Sequence, residues 1–190
     1  LSALSIFSAS EKTQALISFL RLFLAIVAAL VAAKIFPQKK VFERVLFLFV
    51  VLAVVESAIG IFQFSAQGSI GLSKFGEPHL TLADPTIARA IVGEGRVIRA
   101  YGTFPHPNVL AAFLVTGLAA ICYFWFRLVE RKFTWNPGEP RTIQFKRYMP
   151  ILIRSIVLSA AIFVVLAGLA LTFSRAAWLI AIFFSHIQEK

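Results

Sequence analysis

Two short stretches hold most of the residues able to do chemistry. In the first, Arg99-Ala100-Tyr101-Gly102-Thr103-Phe104-Pro105-His106-Pro107-Asn108 runs straight into an apolar segment from Val109 to Phe126. In the second, Leu171-Thr172-Phe173-Ser174-Arg175-Ala176-Ala177-Trp178, an apolar run is broken by Ser174 and Arg175 and then resumes. Arginine carries a permanent positive charge on a planar fork of N–H donors that matches phosphate oxygens. A helix N-terminus adds unpaired N–H groups and a partial positive charge. Together they make a candidate anion site at the start of a membrane-length helix. Asn108 suits the N-cap of that helix, Gly102 an unusual backbone angle, and Pro105 and Pro107 a stiff approach. Taken alone, the second stretch also fits an arginine snorkelling beside an interfacial Trp178.

The elements that must position these groups are membrane helices. Of 190 residues, 59% are hydrophobic, and the mean hydropathy is +0.83. Soluble domains are nearer about 45–50% apolar. The expected fold is all-α, a polytopic transmembrane bundle of about five segments with one long external loop. The segments cover about 14–36, 45–64, 109–126, 151–173 and 176–187, in one transmembrane domain. The last is only about two-thirds of the roughly 20 residues a span needs. A chain that opens on Leu1 and closes soon after a short apolar segment reads as part of a longer protein.

Charge sets the orientation. The connection 37–44 carries Lys39, Lys40 and Arg44 against Glu43. The connection 127–150 carries Arg127, Arg131, Lys132, Arg141, Lys146 and Arg147 against Glu130 and Glu139. Both read as cytoplasmic. The loop 65–108 mixes Lys74, Arg89, Arg96 and Arg99 with Glu77, Asp84 and Glu94, and reads as external. Within it, Asp84 to Gly93 has the grammar of a short helix, with Asp84 as N-cap, Pro85 at the first position and Gly93 at the end. The net charge of +10 needs no nucleic acid to explain it, because cytoplasmic loops are Lys/Arg-rich. The lone Cys122 excludes an internal disulfide. No metal-ligand spacing occurs, and no cofactor is expected.

Two charges fall deep inside spans, well away from the ends. At 1.5 Å per residue, Arg21 and Glu56 lie about 10–14 Å from the external ends of the first and second segments. Each costs about 2.5–3.5 kcal/mol at mid-membrane on insertion scales, so an interhelical Arg21–Glu56 pair is expected.

Taken together, the two motif stretches resemble the O-antigen ligase family, bacterial membrane enzymes that transfer or polymerise glycans carried on undecaprenyl diphosphate. The family pattern Arg-x-x-Gly-Thr-Phe-x-x-Pro-Asn-x-x-Ala is matched by Arg99, Gly102, Thr103, Phe104, Pro107, Asn108 and Ala111. The family's Thr-x-Ser-Arg-Gly is matched by Thr172, Ser174 and Arg175, with Ala176 in place of glycine. The resemblance implies a glycosyltransferase of the bacterial inner membrane, active in lipopolysaccharide or cell-surface polysaccharide biosynthesis. Its partners would be an undecaprenyl-diphosphate-linked glycan, a glycan acceptor and the lipid bilayer. Arg175 matches a family arginine that holds the diphosphate, and Arg99 is a second by position. Ser174, Thr103 and Asn108 complete the expected substrate-binding set. The family's catalytic histidine belongs to a later external loop, so the base is expected beyond residue 190. His106 is not assigned that role, and His79 and His186 have no supporting constellation. Two other readings compete: a transporter or flippase for an anionic or lipid-linked substrate, which also gathers arginines around a cavity, and an inactive scaffold.

Overall fold

A computed structural model describes residues 12–35, 37–129, 141–175 and 178. The described chain is mostly helical, and it divides after Val45 into two units. Four helices are long and apolar enough to cross a membrane, with spans Leu16–Lys34, Lys39–Ala66, Pro107–Val129 and Tyr148–Leu171. They correspond to four of the five expected segments. The fifth, 176–187, lies outside the described residues apart from Trp178.

The first unit contains helix α1 (Lys12–Ile35), which exposes Leu16, Phe23, Leu24 and Leu30. A helix apolar on all sides suits a lipid surround. Lys34 sits in its last turn, where a cation complements the helix dipole.

The second unit is organised by helix α2 (Lys39–Ala66), whose buried residues are Val50, Ala53, Ser57, Gly60 and Gln63. Their spacing of three and four puts them on one face. Most are small, so backbones approach closely. A Cβ at Gly117 of α3 (Pro107–Val129) would collide with Ala53. A Cβ at Gly168 of α4 (Arg141–Leu171) would lie 2.7 Å from Ser57 Oγ. Small residues at crossings are how membrane helices gain packing, since lipid removes the hydrophobic drive between them. Leu110, Leu114 and Ile121 of α3 and Val165 and Leu169 of α4 complete the core. Helix α4 starts at Arg141 and runs through Pro150, so residues 141–150 are helix where a loop is expected from their charge.

The long loop departs from the all-α expectation. In place of a short helix at 84–93 stands a hairpin, with β1 (Arg89–Val92) antiparallel to β2 (Gly95–Ile98). Gly93, with φ 60°, takes the first central position of the turn, and Glu94 keeps a negative φ. That sign pattern is the type II′ turn preferred in two-residue hairpins. Asp84 still caps, but only a turn: its Oδ1 accepts from Thr86 N at 2.8 Å and Thr86 Oγ1 at 2.7 Å. A ten-residue helix with β-branched Thr86, Ile87, Ile91 and Val92 has little to gain, and pairing with Val97 and Ile98 wins.

Buried polar side chains fasten the loop. The Glu77 carboxylate accepts from Ile70 N at 2.7 Å, Leu72 N at 2.5 Å and Gln63 Nε2 at 3.0 Å. Burial pushes its pKa up, but the hydrogen bonds from Ile70, Gln63, Leu72 and Gly71 outweigh this, and the net shift is downward.

Three outcomes are expected. A carboxylate with a depressed folded pKa contributes stability that is complete above its ordinary value of 4.5 and fades as pH falls through the lower folded value. Hydrogen-exchange protection of the Ile70 and Leu72 amides should therefore hold from neutral pH down to 4.5 and fall below it, whereas Glu77→Gln should lose protection at every pH. Ser57 Oγ is buried with no hydrogen-bond partner, so Ser57→Ala should leave thermal stability in detergent unchanged or raise it by up to about 1 kcal/mol. Gly168→Leu, at the same contact, should lower it by at least about 1–3 kcal/mol through overpacking.

Candidate functional site

The site begins with a tight turn held against α2. Gln63, fully buried, accepts at Oε1 from Tyr101 N at 3.2 Å and Gly102 N at 2.8 Å, and donates Nε2 to Gly102 O at 2.8 Å. Gly102 has φ 61°, a left-handed conformation open to glycine. A Cβ there would also strike Glu56 Oε2. The next residue supplies the reason for that closeness: Thr103 donates its N–H to Glu56 Oε2 at 2.9 Å and its hydroxyl to Glu56 Oε1 at 2.6 Å. Both oxygens of Glu56 thus have partners within their own unit.

The approach to α3 also differs from expectation. The helix starts at Pro107, and His106 is its cap. Val109 N and Leu110 N donate to His106 O, and Asn108 N donates to His106 Nδ1 at 3.1 Å. Proline's fixed φ suits the first helical position, which displaces the cap by two residues from Asn108. Asn108 is thereby free to accept from Arg99 Nη2 at 2.8 Å.

Arg99 joins the two motif stretches. Its Nε donates to Thr172 O at 2.6 Å, and the adjacent Ala100 N donates to Leu171 O at 2.9 Å. These carbonyls belong to the end of α4, where the last helical C=O groups lack intrahelical donors. The guanidinium therefore meets the negative end of α4 as well as the first turn of α3. Burial pulls the Arg99 pKa down from its ordinary value. Arginine starts so high that it stays charged at physiological pH.

Helix α4 ends in a strained turn. Phe173 has φ 49°, a position usually given to glycine after a helix. A non-glycine residue there costs about 1–2 kcal/mol. Its ring lies 6.1 Å from that of Phe64 on α2. Thr172 is buried and donates its hydroxyl to Leu169 O at 2.6 Å. Ser174, also buried, accepts at its carbonyl from Trp178 N, so the chain turns back into helix at Arg175.

Around this turn lies a cavity of about 560 Å³. That is within the roughly 300–1,000 Å³ of small-molecule sites. Arg89, Arg99 and Arg175 supply its charge, and Ile91, Phe173 and Trp178, with Ala90, supply its apolar wall. Among the described residues no acidic one lines it. Of the five substrate-binding residues expected from sequence, Arg99 and Arg175 face the cavity. Thr103, Asn108 and Ser174 serve the frame: the first holds Glu56, the second Arg99, the third the turn into Arg175. No residue of α3 lines the cavity, so guanidinium groups, not a helix N-terminus, carry its positive charge. Sequence reading missed Arg89, because it sat in a segment expected to be helical. It also missed Gln63, whose signal was a side-chain amide inside an apolar span. Among the described residues no cluster of His, Cys, Asp and Glu could hold a metal.

The Arg99–Asn108 bond should be measurable as coupling. In a double-mutant cycle, Arg99→Lys and Asn108→Ala should each lower thermal stability in detergent. Their effects should interact by about 1 kcal/mol, the scale of a charge-assisted hydrogen bond that is partly solvated. Strict additivity would show that the bond contributes nothing.

No protein-family model, curated protein or solved structure matches this chain.

Proposed function

We propose that this chain is a membrane glycosyltransferase of the O-antigen ligase type, transferring or polymerising glycan from an undecaprenyl-diphosphate carrier onto an acceptor hydroxyl. One observation carries the reading. Arg99 and Arg175, each from one of the two stretches that resemble the family, line a single cavity beside an apolar wall. A carrier of this kind has the same duality, with an anionic head at the interface and an isoprenoid tail in lipid. Trp178 and Phe173 suit the boundary between the two.

The chemistry follows from charge. When the acceptor oxygen bonds to the sugar carbon, the sugar–phosphate C–O bond breaks and its electron pair stays on the diphosphate. The acceptor's proton passes to a base not assigned among these residues. His106 is not that base, because its Nδ1 accepts from Asn108 N at the start of α3. Guanidinium groups already fixed in place stabilise the negative charge that develops on the departing diphosphate. Arg99 is fixed by Thr172 and Asn108, which makes it the pre-organised member of the pair. The positive-inside rule favours an external, periplasmic position for the loop 65–108 in an inner membrane, with 37–44 and 127–150 cytoplasmic.

Arg175→Ala should lower transfer from a lipid-linked oligosaccharide by about 10²–10³-fold while membrane insertion is unchanged. Retained transfer would remove the proposal. Movement of the labelled carrier across vesicles without any product would favour a flippase instead. In a Cys122→Ser background, Arg175→Cys should react with a membrane-impermeant maleimide added from outside; protection from it would reverse the orientation.

A further inference from the structure

Arg89 lies in the loop, away from both motif stretches, yet its side chain lines the same cavity as Arg99 and Arg175. Its bonding is incomplete. Nη2 donates to Asp84 O at 2.6 Å, while Nε is buried and has no hydrogen-bond partner. A buried donor left unmade costs about 1–3 kcal/mol, and more on a charged group. Such a donor calls for an explanation, and a bound water or ion is one of those open to it. Arg89 stands opposite Ile98, which is fully buried, and Ile91 shares its strand face and lines the cavity too. Tyr101 braces this end of the hairpin, its hydroxyl accepting from Ala88 N at 2.6 Å.

We infer that Arg89 is a third anion-binding residue of the cavity, and that it makes the site selective for a diphosphate over a monophosphate. The inference rests on reading the cavity as a diphosphate site, and it names a residue that reading does not use. The argument is one of charge and reach. Arg99 already commits Nε to Thr172 O and Nη2 to Asn108, leaving Nη1 as its uncommitted end. A single phosphate can be met by that end together with Arg175. A second phosphate adds charge and further acceptor oxygens. Among the described residues the lining offers it one remaining cation, Arg89, and no carboxylate, the nearby Asp84 side chain being bonded to Thr86 outside the lining. Arginine-to-phosphate bonds are charge-assisted and about twice as strong as neutral ones, so one guanidinium can separate the two ligands.

The test is calorimetric titration of the chain in detergent with inorganic phosphate, inorganic pyrophosphate, farnesyl monophosphate and farnesyl diphosphate. The unmodified chain should bind each diphosphate at least 10-fold more tightly than its monophosphate. Arg89→Gln should reduce that ratio to within about 3-fold, mainly by weakening the diphosphate. Loss in the farnesyl pair alone assigns the selectivity to a lipid-borne head group, and loss in both pairs to the diphosphate itself. If Arg89→Gln does not purify as folded protein, Arg89→Lys, which keeps the charge but not the fork, should still lower the ratio at least 3-fold. An unchanged ratio, or no binding of any of the four, overturns the inference. If Arg99→Gln and Arg175→Gln abolish binding while Arg89→Gln does not change the ratio, only the third ligand is lost. If neither Arg99→Gln nor Arg175→Gln weakens binding, the diphosphate reading fails as well.

Discussion

Gln63 lies fully buried near the end of α2, with both its donors and its acceptor in use. No other side-chain type could replace it. The loop presents two N–H groups and one C=O at Tyr101 and Gly102, and a carboxylate at Glu77. A carboxylate in place of Gln63 could not donate to the last two, and an apolar residue would leave the Tyr101 and Gly102 groups unpaired in a membrane-adjacent interior. Through this one amide, α2 fixes the Gly102 turn and the Glu77 limb of the loop together. The Gly102 turn then sets Thr103 against Glu56, and Arg99 is only three residues upstream. The cavity depends on a polar contact that none of its lining residues makes.

Sequence made the membrane helices legible because their signal is additive. Each span sums some twenty apolar side chains, and no single tertiary contact can reverse that total. The parts that differ were decided by single contacts. Asp84, Pro85 and Gly93 are helix punctuation in one context and turn punctuation in another, and the choice rested on whether β1 found a partner in β2. Asn108 and His106 can both cap a helix; Pro107 decided between them by starting it. Glu56 showed as a charge inside a span, but its hydrogen bonds to Thr103, 47 residues away in sequence, lie beyond any local pattern. Of the candidate site, the two arginines in motif stretches were legible. Their convergence on one cavity was not, since it follows from how α4 ends.

That ending concentrates several costs in a few residues. Phe173 holds a left-handed conformation where glycine would be unstrained, and it places an aromatic wall in the cavity and a ring against Phe64. Arg99 gives up part of its hydration to cap α4. Strain of this kind persists only where surrounding contacts over-determine it. Here those contacts are the Leu171 and Thr172 carbonyls, held by Ala100 and Arg99. The two stretches therefore stabilise each other, and neither would keep its geometry alone.

The acids of this unit explain why the cavity stays positive. Glu56, Glu77 and Asp84 all lie on the segments that build the site, and each accepts hydrogen bonds from N–H or hydroxyl groups: Thr103 for the first, Ile70, Leu72 and Gln63 for the second, Thr86 for the third. Asp84 meets Arg89 through its backbone C=O, with its carboxylate turned to Thr86. Neutral acceptors likewise hold Arg99. A carbonyl orients a guanidinium without cancelling its charge, whereas a carboxylate would do both. Fixing the arginines with carbonyls and an amide, and spending the carboxylates on backbone caps, keeps the charge available to a ligand. Arg99 thus keeps only neutral acceptors on its guanidinium, while Asp84, close enough for the Arg89 charge to help lower its pKa, hydrogen-bonds Arg89 through its carbonyl alone.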